Sequence, residues 1–249
     1  MSGHSKWSTI KRKKGAADSK RAQTFSKIIK EITIAAKLGG GDVDANPRLR
    51  MAVDKARSNS LPKDTLERAI KKGSGELEGE TYEEISYEGY GPSGVAVLVE
   101  CTTDNKNRTV AEIRHIFARK GGNLAETGAV GWMFEKKGTM RVDAASISEE
   151  ALFEKALDAG AEDIAREGDE FIITVGFNDF HGINTQLKNE GITIKEAAVE
   201  MIPKNLVKIE DEEAAQKILN MVESLEDNDD VQNVWANFDI DDSLLEKLS

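Results

Sequence analysis

The change of hydrophobic period near residue 73 is the feature of this sequence that most constrains its fold. Before it, apolar residues recur at helical spacing; after it, they alternate or form short runs such as VAVLV at 95–99. Helical spacing buries one stripe of a helix, whereas alternation buries one face of a sheet. The acidic, glycine-rich segment 73–80, GSGELEGE, therefore predicts a boundary between a helical domain and sheet-containing domains.

Three short helices are predicted before this boundary. The first covers about 17–38 and buries one narrow apolar arc. The second begins at Asn46 and Pro47, a capping residue followed by proline in the first turn. The third starts near Pro62 and stops at Gly73. Helices this short, each with a narrow apolar face, are typical of a small bundle.

The order of elements after the boundary predicts two ferredoxin-like units. Residues 139–202 follow the order β-α-β-β-α-β. Residues 206–238 complete a second such set with residues 95–136, so the first set is an insertion. The predicted fold is α+β with three domains, an N-terminal small helical bundle followed by two ferredoxin-like α/β domains, the last inserted into the middle one. The predicted boundaries are 1–78 for a basic arm and three-helix domain, 79–137 plus 204–240 for the discontinuous middle domain, 138–203 for the inserted domain and 241–249 for an acidic C-terminal tail.

Charge is divided unequally along the chain. Residues 1–72 hold 18 Lys or Arg against 7 Asp or Glu, and the other residues hold 16 against 38, so a net +11 precedes a net −22. A basic segment on an acidic body is the pattern of a protein that binds a polyanion, most often nucleic acid. The alternative is a lysine-rich end that is only solvated.

The candidate binding residues lie in the first thirty positions. Trp7 stands among cations, and an aromatic ring in that setting can stack on a base while the cations contact phosphates; alternatively, it packs against the first helix. Ile34 lies in the cationic arc of that helix, either as a lone exposed residue or as part of a partner surface. The predicted nucleic-acid-binding residues are Lys6, Trp7, Lys11, Arg12, Lys13, Lys14, Lys20, Arg21, Lys27 and Lys30.

Motifs of catalysis, cofactor binding and membrane insertion are not found in the sequence. The single cysteine, Cys101, ends an apolar strand, the three histidines are far apart, and no Walker loop, HExxH or paired-cysteine motif occurs. The glycines of G-x-G-x-x-G at 89–94 lie between two strands and read as turn residues. We therefore expect a non-enzymatic cytoplasmic protein with no catalytic residue, metal, cofactor, small-molecule substrate or membrane contact.

Five blocks of this sequence resemble one known family over essentially the whole chain. They are GHSKW at 3–7, IKRKKGAADSKRAQTFSKIIKEI at 10–32, LPKDTLERAIKKG at 61–73, YEGYGPSG at 87–94 and RKGGNLAETGAVGWMF at 119–134. The chain is similar to the YebC/PmpR family of bacterial proteins, whose mitochondrial relative is the translational activator of cytochrome c oxidase subunit I. The resemblance implies a helical N-terminal domain, two α/β domains and a probable transcriptional regulator that binds DNA.

Three functional hypotheses follow. The leading one is a non-enzymatic nucleic-acid-binding regulator of gene expression, a DNA-binding transcriptional regulator. The second is a ribosome-associated translation factor that binds ribosomal RNA through its basic N-terminal domain, because some members of the family are implicated in translation. The third is an adaptor whose acidic domains bind a basic protein. The residues contain no zinc-finger, zipper or helix-turn-helix signature that would indicate reading of the major groove.

Overall fold

The computed structural model describes residues 18–248, except for the side chains at 18–20, 242 and 246. Its strands are β1 (Glu83–Tyr90), β2 (Ala96–Thr103), β3 (Asn123–Leu124), β4 (Phe134–Asp143), β5 (Asp163–Glu167), β6 (Glu170–Gly176), β7 (Ile194–Pro203), β8 (Val207–Ile209), β9 (Val231–Ala236) and β10 (Phe238–Ile240). Its helices are α1 (Asp18–Gly39), α2 (Pro47–Ser58), α3 (Lys63–Gly73), α4 (Lys106–Arg119), α5 (Glu149–Ala159), α6 (Phe180–Asn189), α7 (Glu212–Glu226) and α8 (Asp242–Leu248). Two compact units result, one of residues 134–204 and the other of the remaining described chain.

Helices α1 to α3 form a small bundle within the larger unit. The Asn46 side chain accepts a hydrogen bond from the Leu49 amide and so caps α2. Both α2 and α3 pack on α1, around a core that includes Ile32 and Leu49. At the end of α3, a Cβ on Gly73 would lie 2.3 Å from the Thr33 carbonyl oxygen, so a residue without a side chain lets the two helices approach.

The larger unit also contains a four-stranded antiparallel sheet of order β3-β1-β2-β9. The α4 residues Ile113 and Phe117 and several α7 residues share a hydrophobic core with this sheet. The predicted pairing of the C-terminal segment with residues 95–102 is confirmed, because Val99 of β2 lies opposite Val234 of β9. Strand β8, expected as part of the same set, pairs instead with β10 in a parallel two-stranded sheet.

The smaller unit has the ferredoxin-like order β5-β6-β4-β7, with every pair antiparallel. Two strands predicted at 129–138 and 139–142 are one strand, β4, which begins at Phe134 after a short 3-10 turn at Gly131–Met133. The predicted boundary strand therefore belongs to the inserted unit. A Cβ on Gly138 of β4 would lie 2.2 Å from the Phe180 ring, so α6 packs closely against this strand.

The predicted fold class is confirmed: the protein is α+β, with a helical N-terminal region followed by sheet-containing domains, one inserted into the other. The three-domain division with the boundaries given above is a proposal, since α1 to α3 and the first sheet form a single compact unit. Residues 242–248, expected as an acidic tail, contain α8, whose Leu245 is buried in the core.

None of the helices in the described chain is long and apolar enough to cross a membrane.

Candidate nucleic-acid interface

Most of the predicted contacts precede the residues that the structure describes. Six of them lie in 1–17, outside the description: Lys6, Trp7, Lys11, Arg12, Lys13 and Lys14. Lys20 belongs to α1, but its side chain is not described. Arg21 is exposed, and its guanidinium lies 5.4 Å from the centroid of the Phe25 ring on the same helix. Of the ten predicted residues, Arg21 is the one that the structure places at the surface.

Lys27 and Lys30 lie on the α1 face that packs against the sheet. The Lys27 Nζ donates to the Glu226 carbonyl at 2.5 Å and the Lys30 Nζ to the Asp229 carbonyl at 2.9 Å. Glu226 is the last residue of α7, and helix C-termini carry partial negative charge that attracts cations. The Lys27 ammonium group therefore interacts with the end of α7, and the Lys30 ammonium group with the turn that follows it.

A buried carboxylate, Asp230, receives Lys30 on one oxygen. The Lys30 Nζ lies 2.7 Å from Asp230 Oδ1, and both residues are buried, with 8% and 3% of their surface exposed. The other oxygen, Oδ2, accepts from Arg108 at 2.8 Å, from Thr109 at 2.8 Å and from Thr103 at 3.1 Å. One carboxylate thus connects α1 to β2 and α4.

The pKa values follow from these contacts. Burial would raise the pKa of Asp230, but hydrogen bonds from Lys30, Arg108 and Thr109 outweigh burial and lower it to about 2. Burial lowers the pKa of Lys27 to about 8, although the nearby Glu226 and Asp227 carboxylates oppose the change. Asp230 is therefore ionised at neutral pH and holds the Lys30 cation.

In the structure, the ammonium groups of Lys27 and Lys30 bind protein oxygens. A phosphate would have to replace these contacts, and the role of the two residues in binding nucleic acid stays a prediction. Ile34, which also lies in the cationic arc, is buried, with 2% of its surface exposed. It is therefore not a lone exposed apolar residue on that arc.

Exposed cations of the bundle were not among the predicted contacts. Lys55 lies on α2, and Arg68, Lys71 and Lys72 lie on α3; all four are exposed, and no ion pair is seen for them within the described residues. Arg48 differs, because its guanidinium binds Glu31 through two nitrogens, at 2.8 and 3.1 Å, and also contacts Glu84. Sequence alone does not separate these two kinds of cation, since the carboxylates that bind Arg48 are remote in the chain.

The bundle lacks the packing of a helix-turn-helix motif. A four-residue turn, 59–62, joins α2 to α3, as it does in such motifs. However, α2 and α3 pack mainly on α1 and make few contacts with each other. The geometry therefore offers no recognition helix seated on a partner helix for insertion into a major groove.

Residues 18–248 show little that would support metal or thiol chemistry. They contain no group of three or more His, Cys, Asp or Glu side chains placed to bind a metal ion. Cys101 is buried, and burial raises its pKa to about 12, which keeps the thiol protonated. The site is therefore a charged surface, and the chemistry it supports is ionic contact.

Comparison with known proteins accounts for nearly the whole chain. Residues 5–76 match the family model of the TACO1/YebC protein N-terminal domain, and residues 82–238 match that of the TACO1/YebC second and third domain. Two relatives, each named "probable transcriptional regulatory protein", come from Desulfotalea psychrophila (56% identical) and Syntrophus aciditrophicus (58% identical), with 100% of both chains covered in each case.

The fold of this chain is also similar to that of a solved structure. The crystal structure of a conserved hypothetical protein from Aquifex aeolicus has a TM-score of 0.85 and 47% sequence identity, covering 90% of this chain and 93% of that chain. This structural likeness agrees with the arrangement of helices and sheets described above, and the family models likewise separate an N-terminal domain from a second and third domain. The chain therefore belongs to the TACO1/YebC family.

Proposed function

We propose that this protein is a cytoplasmic, non-enzymatic regulator of gene expression that binds DNA through its basic N-terminal region. The observation that carries the proposal is the set of exposed cations on α2 and α3 for which residues 18–248 show no ion pair, and which follow an arm rich in lysine and arginine. The names of the relatives, which call them transcriptional regulatory proteins, support the same function. The finer statement, that the ligand is DNA, is ours.

The charge distribution gives the proposal its mechanism. Cations of the arm, Lys11 to Lys14, and of α2 and α3 contact backbone phosphates and release their counterions. The residues after 72 carry a net charge of −22, which repels the same polyanion. The basic region therefore binds the nucleic acid while the excess acidic charge of the later residues favours an orientation directed away from it, and Trp7 stacks on an exposed base.

A salt titration of binding tests this proposal. For the full chain and a 30-bp duplex, neutralising about six phosphates predicts a slope of log K against log[salt] of roughly −5. The variant with Lys11, Arg12, Lys13 and Lys14 all changed to alanine should have a clearly shallower slope. Affinity that does not change with salt would refute phosphate binding, and an unchanged slope in this variant would refute the role of the arm.

The second candidate is a translation factor that binds ribosomal RNA. The observation that favours it is the packing of α2 and α3 on α1, because this arrangement supplies no major-groove reader, whereas structured RNA is recognised largely by shape and backbone. Repeating the titration with a hairpin RNA of equal charge separates the two candidates. A protein that retains a basic partner and its activity after loss of the four arm cations would instead be an adaptor.

A further inference from the structure

Helix α4 carries an unusual concentration of positive charge for an acidic body. Residues 73–249 contain 16 Lys or Arg and 38 Asp or Glu, but residues 106–120 alone contain 5 of those cations and only 1 of those acids. The segment lies far from the N-terminal arm in sequence. It is therefore a second basic segment, separate from the N-terminal region.

Contacts within the protein neutralise only the first turn of this helix. Lys106 pairs with Glu83 at 2.6 Å, and Arg108 pairs with Asp230 at 2.8 Å as well as with Asp104. The acid of the segment, Glu112, accepts a hydrogen bond from Asn228 at 2.7 Å. Arg114, Arg119 and Lys120 have no ion pair within the described part of the chain. We call these three residues the α4 basic surface.

The surroundings of the α4 basic surface leave it open. Ala111, His115 and Ala118 lie exposed along the outer face of α4, and Arg114 and Arg119 are exposed beside them. The helix ends at Arg119, Gly121 follows with a φ of +81°, and Arg119 and Lys120 border a groove.

The acidic side chains of that groove already have partners in the protein. Asp211 caps α7 by accepting from the Ala214 amide at 2.7 Å, and Glu213 pairs with Lys217 at 2.7 Å. Neither carboxylate forms an ion pair with Arg119 or Lys120 in the structure. The α4 basic surface is therefore available to an external anion.

The middle of α4 lies near the N-terminal part of α1. The Gln23 side chain donates to the Asp227 carbonyl and to Asp229. The neighbouring Asn228 donates to Glu112 in the middle of α4. Only the turn 227–229 therefore separates the first part of α1 from the outer face of α4, and the arm joins the described chain at residue 18.

From this placement we propose that the α4 basic surface contacts phosphates of the same DNA duplex that the N-terminal region binds. The proposal rests on the proposed function and extends it from one basic region to two. Charge complementarity identifies the occupant, because Arg114 in the middle of α4 and Arg119 and Lys120 at its end form no ion pair within the described residues and carry the charge that backbone phosphates attract. The contact adds affinity and orientation but carries no sequence information of its own.

The competing explanation is local. Arg119 and Lys120 stand at the C-terminus of α4, where cations interact favourably with the helix dipole. In that case they stabilise the helix without touching nucleic acid. The two explanations differ in one measurable quantity, the number of counterions that are released when DNA binds.

The test measures the salt dependence of duplex binding by the full chain and by variants. The variant Arg114→Gln, Arg119→Gln, Lys120→Gln should have a slope shallower by about 2 to 3, since each lost phosphate contact removes about 0.9. A matched control, Lys136→Gln, Arg166→Gln, Lys188→Gln, loses three exposed cations of the inserted unit and should keep the slope of the natural protein. Thermal unfolding checks that both variants fold.

A third variant, Arg114→Lys, Arg119→Lys, Lys120→Arg, separates the effect of charge from the effect of side-chain shape. It keeps all three charges, so its salt dependence should have the same slope as that of the natural protein. If the glutamine variant of α4 and the control have equal slopes, the α4 contact is refuted although arm-dependent binding stands. If the slope changes only for a hairpin RNA, the DNA duplex is the wrong occupant and RNA replaces it. If the full chain shows no salt-dependent binding, the proposed function itself fails.

Discussion

At the scale of single residues, Asp230 is the side chain on which the attachment of α1 depends. Its carboxylate is buried and accepts hydrogen bonds from Lys30, Arg108, Thr103 and Thr109. Every one of these donors belongs to an element other than β9, the strand that Asp230 precedes. Removing its charge would leave the buried Lys30 ammonium without a counterion, which costs far more than loss of a surface pair.

The variant Asp230→Asn should therefore lose about 3 to 5 kcal/mol of unfolding free energy at pH 7. Urea denaturation measures this loss. Asp54→Asn, which removes an exposed carboxylate 3.8 Å from Arg57, should change the stability by less than about 1 kcal/mol. Equal effects of the two substitutions would mean that Asp230 is not ionised in the folded protein.

Acid should diminish the difference in unfolding free energy between the natural protein and the variant Asp230→Asn. The pKa of Asp230 is lowered from an ordinary 3.8 to about 2, so its charge stabilises the folded state above pH 3.8. That stabilisation, about 2 kcal/mol, is lost as the pH falls through 2.

At the scale of elements, the sequence predicted the core face of α1 but not the role of its other face. The apolar arc with Ile28 and Ile32 is buried as expected. In the cationic arc, the apolar residue Ile34 among the lysines was the one indication in the sequence that this face is not simply solvated. What the sequence could not supply is the acceptor, because Asp230 and the α7 carbonyls lie about two hundred residues away in the chain and become neighbours only through β9.

The loop 125–133 shows a second contact of long sequence separation. The Glu88 carboxylate, which is buried on β1, accepts hydrogen bonds from the amides of Gly128, Val130 and Gly131 at 2.7 to 2.8 Å. Burial raises the pKa of Glu88, but these three hydrogen bonds outweigh it and the pKa is lowered. The loop, which ends at the exposed Trp132, is therefore fixed by one charged group.

The variant Glu88→Gln should release this loop while leaving the sheet folded. A neutral amide accepts these hydrogen bonds more weakly and adds an unmatched N–H, so we expect a loss of about 1 to 3 kcal/mol. Hydrogen exchange at residues 128–131 should become faster by tenfold or more, while exchange in β2 changes far less. Uniformly faster exchange in both segments would show that Glu88 supports the whole sheet instead of the loop.

At the scale of the whole molecule, the order of elements predicted the architecture, and the missed detail lies at the junction of the two units. Strand β4 was divided into two predicted strands because Lys136, Lys137 and Gly138 interrupt its apolar pattern. The strand continues there because Lys137 pairs with Glu135 and Glu162 on the sheet and Phe180 covers Gly138. The periodicity of apolar residues reveals a strand only where its side chains are apolar. It does not reveal positions at which charged side chains form ion pairs.

The separation of charge is the property of the whole molecule on which the proposed function depends. The unequal distribution of charge can be read from the sequence. The sequence does not show which cations are exposed, because Arg48, Lys27 and Lys30 bind groups of the protein itself. Exposed cations that form no ion pair within the described residues include Lys55 on α2, Arg68, Lys71 and Lys72 on α3, and Arg114 and Arg119 on α4. The account thus assigns nucleic-acid contact to the arm and to these helix surfaces.

The most direct test of this account is crosslinking and sequencing of the nucleic acid bound in cells by the intact protein. The variant with Lys11 to Lys14 changed to alanine is the control. The account predicts enrichment of a limited set of DNA sites that is lost in the variant. Enrichment of one region of ribosomal RNA instead would contradict DNA as the ligand, and identical profiles for the two proteins would contradict binding through the basic N-terminal region.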